Sequence, residues 1–182
     1  AATGIAEKEY AALVDTVSVC FSKGLGAPVG SALVGSRDVI EFARRKRKLL
    51  GGGMRQAGVI ASGALYAIRN HRPRLVKDHE NAAHLAEAVN EMDGFSVDVD
   101  NVETNILFIE VTAPIAAADV VTRLNDEGVA ILALRPTAMR AVTHLDVSRE
   151  DIDKAIDAFA RVSKTLPAED PSFDASKLGE PE

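Results

Sequence analysis

Val17-Ser18-Val19-Cys20-Phe21-Ser22-Lys23-Gly24-Leu25-Gly26-Ala27-Pro28-Val29-Gly30 passes from an apolar run into a tight turn of small residues, with one lysine at the junction. The run reads as a buried strand. An ammonium held where a buried strand runs out loses part of its hydration, which favours the neutral amine that a Schiff-base nucleophile requires. Gly24 and Gly26 would let the backbone take positive φ and come close to a flat ligand. A surface lysine ahead of a glycine turn is the other reading, and such turns are common. These residues alone leave both open.

Around this stretch the pattern alternates. Residues 7–13 read as the end of an amphipathic helix and 30–35 as a second short strand. Ser36 is a good N-cap with Asp38 in the first turn. The helix it starts places Val39, Ile40 and Ala43 on one face and ends near Leu50, after the basic run 44–48 and before Gly51, Gly52 and Gly53. Basic residues in a last turn and glycine beyond it are ordinary stop signals. Residues 56–92 are helical in pattern, interrupted near His71-Arg72-Pro73 because proline lacks the N–H the preceding turn needs. In the second half Leu75, Val76, His79, Ala82, Ala83, Ala86 and Val89 fall on one face.

Asp93-Gly94 marks a change of texture. Beyond it strands are expected at 95–99, 105–111, 129–134 and 139–143, with helices at 115–127 and from Ser148, where Asp151 completes a capping box. Strands alternating with helices predict a small α/β lobe. The expected division is therefore 1–92, 93–166 and an acidic, proline-bearing tail over 167–182, whose composition predicts disorder.

Composition narrows the function. The 182 residues are 47% apolar and 26% charged, an ordinary globular profile. A net charge of −6 gives no global support for nucleic-acid binding. Cys20 stands alone, which fits a reducing, cytosolic compartment. No apolar stretch reaches the ~18 residues of a membrane span. His71, His79, His84 and His144 lack metal-ligand spacing, so no metal site is expected.

Three further groups could carry chemistry. The run 44–48 could bind phosphates or be a solvated helix end. Gly51-Gly52-Gly53-Met54-Arg55-Gln56, flanked by Lys48, could present free N–H groups and a guanidinium to an anion, or be a hinge. Arg140, on an apolar strand, needs a partner when buried: an internal carboxylate or that of a substrate.

Taken in order, 19–31, the block Gly51-Gly52-Gly53-Met54-Arg55-Gln56, and Thr143-His144-Leu145-Asp146-Val147-Ser148 resemble the low-specificity L-threonine aldolases, pyridoxal-phosphate enzymes of the aminotransferase-like fold. The resemblance runs over about residues 1–165. It implies an α/β chain of the PLP-dependent transferase-like fold (fold type I): the second half of the large cofactor-binding domain, with the lysine strand joining a mostly parallel sheet begun by the family's N-terminal half, followed by a small C-terminal α/β domain. It implies pyridoxal 5′-phosphate as cofactor, Lys23 as its Schiff-base lysine, Arg140 on the substrate carboxylate, and Lys48 and Arg55 near the cofactor phosphate, reaching it from a neighbouring subunit. The reaction implied is retro-aldol cleavage of L-threonine, L-allo-threonine and related β-hydroxy amino acids to glycine and an aldehyde, by a dimer of dimers. The family's N-terminal half, with its ring-stacking histidine, pyridinium aspartate and candidate base, has no counterpart in these residues. The expectation is a C-terminal part that works only with its N-terminal complement. A related β-eliminating lyase or racemase, and a non-catalytic oligomerisation module, are the alternatives.

Overall fold

The computed structural model describes residues 1–168, 170, 172–174 and 178. The chain divides into two compact units, Ala1–Val76 and the residues from Lys77 onward. Most of the expected acidic tail lies outside the described residues.

The first unit holds α1 (Glu7–Ala11), β1 (Thr16–Cys20), β2 (Ser31–Gly35), α2 (Arg37–Leu49), α3 (Gly58–Asn70) and a 3-10 turn over Arg72–Arg74. β1 and β2 form an antiparallel ribbon with Thr16 opposite Gly35 and Cys20 opposite Ser31. The sequence reading expected a buried strand joining a mostly parallel sheet begun by the family's N-terminal half, which these residues do not include. Among the described residues β1 pairs with β2 alone, so its side chains alternate between exposed and half-buried and Cys20 is exposed. An apolar run is buried fully only when layers cover both of its faces, and among the described residues this ribbon is covered in part, every second residue of β1 being half-buried.

Ser36 caps α2 as expected, its Oγ accepting the Val39 N–H at 3.4 Å. The far end closes through glycine. Gly51, at φ +83°, donates to Lys48 O at 3.2 Å and Gly52 donates to Arg47 O at 2.8 Å. This is the Schellman pairing that satisfies the last carbonyls of a helix. Two of the three glycine amides expected to face an anion are thus spent on ending α2.

The second unit begins within α4 (Leu75–Asn90) and continues with β3 (Phe95–Ser96), β4 (Ile106–Val111), α5 (Ala117–Asp126), β5 (Leu132–Arg135), β6 (Ala138–Val142) and α6 (Arg149–Ser163). The four strands form an antiparallel sheet in the order β3-β4-β6-β5. Period-two alternation sends Leu107, Ile109 and Val111 of β4 and Met139 and Ala141 of β6 into the core, where they meet Val120 and Leu124 of α5 and Phe159 of α6. The Phe95 and Phe159 rings meet edge to face, with centroids 5.4 Å apart.

The division at Val76 differs from the one expected at 92. α4 buries Ala82, Leu85, Ala86 and Val89 in the second unit's core, an attachment invisible to a reading of local texture. Its inward face is also rotated. Asp78 and Asn81 are buried while Val76 is exposed. Polar contacts to the β6–α6 loop explain this: Thr143 Oγ1 donates to the Asp78 backbone carbonyl at 2.6 Å, and Asn81 Nδ2 donates to Val147 O at 3.3 Å.

Candidate active site

Lys23 stands in the loop joining β1 to β2, and backbone bonds fix that loop at three points. Phe21 N–H donates to Gly30 O at 3.0 Å, Ala27 N–H to Phe21 O at 2.9 Å, and Gly26 N–H to Lys23 O at 2.7 Å. The last closes a turn with Lys23 at its first position. Gly26 sits at φ +65°, a conformation that favours glycine, whereas Gly24 does not. At Gly24 space is tight: a Cβ there would lie 3.1 Å from Leu75 Cδ2, so the leucine methyl would have to give way. On the other flank a Cβ at Gly63 of α3 would lie 3.2 Å from Pro28 Cδ. The loop is therefore packed closely at both ends.

His71, at the C-terminal end of α3, holds the loop from below. Its Nδ1 lies 2.7 Å from Leu25 O. A carbonyl only accepts, so Nδ1 carries the hydrogen. Sequence reading missed this role, because nothing local to His71 names a partner 46 positions away.

The Lys23 side chain is exposed and makes no hydrogen bond or ion pair among the described residues. The partial dehydration expected at a buried strand end is not present in this chain, since the strand itself is not buried.

Lys48 and Arg55 flank the glycine turn after α2, both exposed. Lys48 folds back along it, so that a Cβ at Gly53 would come within 3.1 Å of Lys48 Nζ. Next to Arg55, Gln56 takes φ +51°, an uncommon left-handed conformation for a residue with a side chain. Four large apolar side chains lie exposed in the same segment: Phe42, Leu49, Leu50 and Met54.

Arg140 belongs to the second unit, on central strand β6, directly opposite Phe108 of β4 and Leu132 of β5. These three occupy the sheet face away from the core, and Phe108 and Leu132 are 49% and 58% exposed. Arg140 itself is half-buried, and its Nε is fully buried with no hydrogen-bond partner among the described residues. A buried guanidinium nitrogen without an acceptor is costly. The nearby carboxylate of Glu110 is taken by Arg135, 2.8 Å away.

The block 143–148 is structural. Thr143 ties β6 to α4, His144 Nδ1 accepts the Asp146 N–H at 3.3 Å, and Ser148 caps α6. Among the described residues no group of three or more His, Cys, Asp or Glu could hold a metal ion, and no helix is long and apolar enough to cross a membrane.

Residues 1–112 match the family model described as beta-eliminating lyase. The chain is 38% identical over 167 residues to low-specificity L-threonine aldolase 1 of Arabidopsis thaliana, covering 91% of this chain and 47% of that protein. It is 46% identical over 153 residues to the low specificity L-threonine aldolase of Escherichia coli K12, covering 83% and 44%. It thus spans about half the length of these relatives. Among solved structures it resembles a putative L-allo-threonine aldolase from Listeria monocytogenes, with TM-score 0.73, 18% identity, and coverage of 88% of this chain and 48% of that one. A serine palmitoyltransferase from Sphingomonas wittichii superposes with TM-score 0.65 at 19% identity, covering 86% and 42%. At that identity the likeness concerns the fold, an α/β arrangement common to these enzymes.

Proposed function

This chain belongs to the beta-eliminating lyase family, and from that premise we propose that it carries the Schiff-base lysine and the carboxylate clamp of a pyridoxal 5′-phosphate enzyme cleaving L-threonine and related β-hydroxy amino acids. The products are glycine and an aldehyde, acetaldehyde when the substrate is threonine. The activity is that of an enzyme of the relatives' full length, in which these residues act together with the remaining half.

The residues present suit the cofactor. Lys23 offers an amine with no other partner among the described residues, near the start of a loop tied by three backbone bonds, able to hold an aldehyde covalently. Lys48 and Arg55 offer two cations for a phosphate beside the α2 glycine turn. When bound, the cofactor supplies an electron sink for the pair left on Cα as the Cα–Cβ bond breaks. Arg140 fixes the substrate carboxylate with a planar pair of donors, which lysine cannot reproduce. Arg140 makes no hydrogen bond or ion pair among the described residues, and this supports the reading: its Nε is buried, and the terminal nitrogens, which are not, stay available to a carboxylate from outside.

The reading extends to assembly and setting. Phe42, Leu49, Leu50 and Met54, exposed around Lys48 and Arg55, suit burial between subunits, as in a dimer of dimers where these cations serve a neighbour's cofactor. The single, unbridged Cys20 fits a cytosolic enzyme of threonine breakdown and glycine supply.

β-Elimination is the second reading, favoured by the description of the matched family. One experiment addresses both. In the full-length enzyme, Lys23→Ala is expected to abolish the cofactor adduct trapped at this position by borohydride, together with the cofactor's visible absorbance band and turnover. Unchanged absorbance and turnover would reject the assignment. Acetaldehyde from threonine supports retro-aldol cleavage; a 2-oxo acid with ammonia supports elimination.

A further inference from the structure

The charge of this chain is unevenly distributed. Ala1–Val76 holds twelve Lys and Arg against five Asp and Glu, a net +7, whereas the remaining residues carry nine against twenty-two, a net −13. Six of the twelve cations lie on the thirteen-residue helix α2, five of them consecutive: Arg44, Arg45, Lys46, Arg47 and Lys48. None of the five forms an ion pair among the described residues. Glu41 stands at the right spacing to pair with Arg44 or Arg45 and does neither.

The helix end explains only part of this. The negative end of the helix dipole favours cations within the last turn, which here means Lys46, Arg47 and Lys48. Lys46 also lies over the Phe42 ring, 5.2 Å from its centroid, and the Arg47 stem packs along Gly52. Arg44 and Arg45 precede the last turn, are exposed, and touch no acceptor among the described residues. Like charges three and four residues apart destabilise a helix, and Arg45 and Arg44 stand at those spacings from Lys48, so these two cost stability without a local return among the described residues.

We propose that Arg44 and Arg45 form an electrostatic guide that speeds capture of the cofactor's phosphate by Lys48 and Arg55. The inference rests on the phosphate-binding role given above to those two residues. Four residues, a rise of about 6 Å, separate Arg44 from Lys48 along the axis, inside the screening length of about 10 Å at ordinary salt. A field of clustered, unneutralised cations raises the encounter rate of a small dianion without contacting it once bound. Arg44 and Arg45 are positioning residues for arrival, and Lys48 and Arg55 hold the ligand.

The test uses the full-length enzyme stripped of cofactor and rapidly mixed with pyridoxal 5′-phosphate, the association rate being read from cofactor absorbance. Arg44→Gln/Arg45→Gln is expected to slow association about threefold or more at low salt. The gap should close near 1 M salt, where the screening length is about 3 Å. The dissociation rate and the turnover of the saturated enzyme should stay as in the parent. Arg44→Lys/Arg45→Lys should retain the parent rate, separating charge from folding. Pyridoxal, lacking the phosphate, should bind at one rate to all variants. An unchanged association rate in the glutamine variant, equal slowing of pyridoxal, or an effect confined to dissociation would overturn the proposal. The underlying assignment fails separately: Lys48→Gln and Arg55→Gln must speed cofactor release, and if they do not, the phosphate reading is wrong whatever Arg44 and Arg45 do.

Discussion

His71 Nδ1 and the Leu25 carbonyl meet at 2.7 Å, so the end of α3 holds the loop that carries Lys23. The imidazole also lies edge-on to Tyr66, with centroids 5.4 Å apart. A net hydrogen bond contributes about 0.5–1.5 kcal/mol and an aromatic edge contact a similar amount. His71→Ala is therefore expected to lose about 1–3 kcal/mol of stability in denaturant unfolding. His71→Phe keeps the ring contact and loses only the bond. If the bond aims Lys23, turnover in the full-length enzyme should fall further for His71→Phe than its smaller stability loss explains.

The two glycines of the same loop should respond differently to alanine. Gly26 occupies φ +65°, where a Cβ costs roughly 1–2 kcal/mol. Gly24 lacks that constraint; its Cβ would press on a leucine methyl at 3.1 Å, at the movable end of a side chain. Gly26→Ala is expected to lower the melting temperature clearly more than Gly24→Ala. The reverse order would mean that packing against Leu75, rather than the turn, sets the loop.

Features written locally were legible in the sequence. Ser36 and Ser148 announced two helix starts because a cap needs only three or four residues. The glycines after Leu50 announced the end of α2, yet the same glycines also suggested an anion cradle, and only the bonds from Gly51 and Gly52 decide between the two. Tertiary features were not legible. The side of the boundary on which α4 falls depends on Leu85 and Val89 meeting Ile109 and Phe159. The exposure of β1 depends on what lies over the ribbon, and apolar residues alone could not say. Arg140 was singled out by residue type, but its unpartnered Nε emerges only from packing on the sheet.

Arg140 provides the sharpest chemical test. Its Nε is buried without an acceptor among the described residues, between strands bearing Phe108 and Leu132 on either side. Charge-assisted hydrogen bonds contribute about 1.5–3 kcal/mol each, so Arg140→Ala should lower kcat/KM for the amino acid by about ten- to a hundredfold or more. Arg140→Lys keeps the charge without the planar fork and should recover little of the loss. Cofactor absorbance should persist in both variants, since Lys23 is unaltered. A variant that loses cofactor before it loses substrate affinity would place Arg140 in another role.

Asp151 supplies a pH-dependent device remote from the chemistry. Lys154 Nζ donates to it at 2.9 Å, the Ser148 hydroxyl at 2.7 Å and the Ser148 N–H at 3.2 Å. Led by the Lys154 bond, these donors hold its carboxyl down at about 2, against an ordinary 3.8. A folded-state value below the unfolded one means that the stabilisation is complete above the ordinary value. It drains away as pH falls through the folded one, because protonation then favours the unfolded chain. The same pairing raises Lys154 above its ordinary 10.5, so its share is present below that value and fades as pH climbs past the raised one. Asp151→Asn should therefore differ most from the parent in urea midpoint at neutral pH. The difference should shrink between about pH 4 and pH 2 as the parent's Asp151 is protonated. Ser148→Ala should destabilise α6 at every pH by removing the acceptor of the Asp151 N–H. It should also weaken the acid dependence, because two of the donors holding the carboxyl down go through Ser148, and only the N–H survives the substitution. A parent and an Asp151→Asn variant that lose stability in parallel below pH 4 would show that the carboxylate makes no net contribution to the folded helix start.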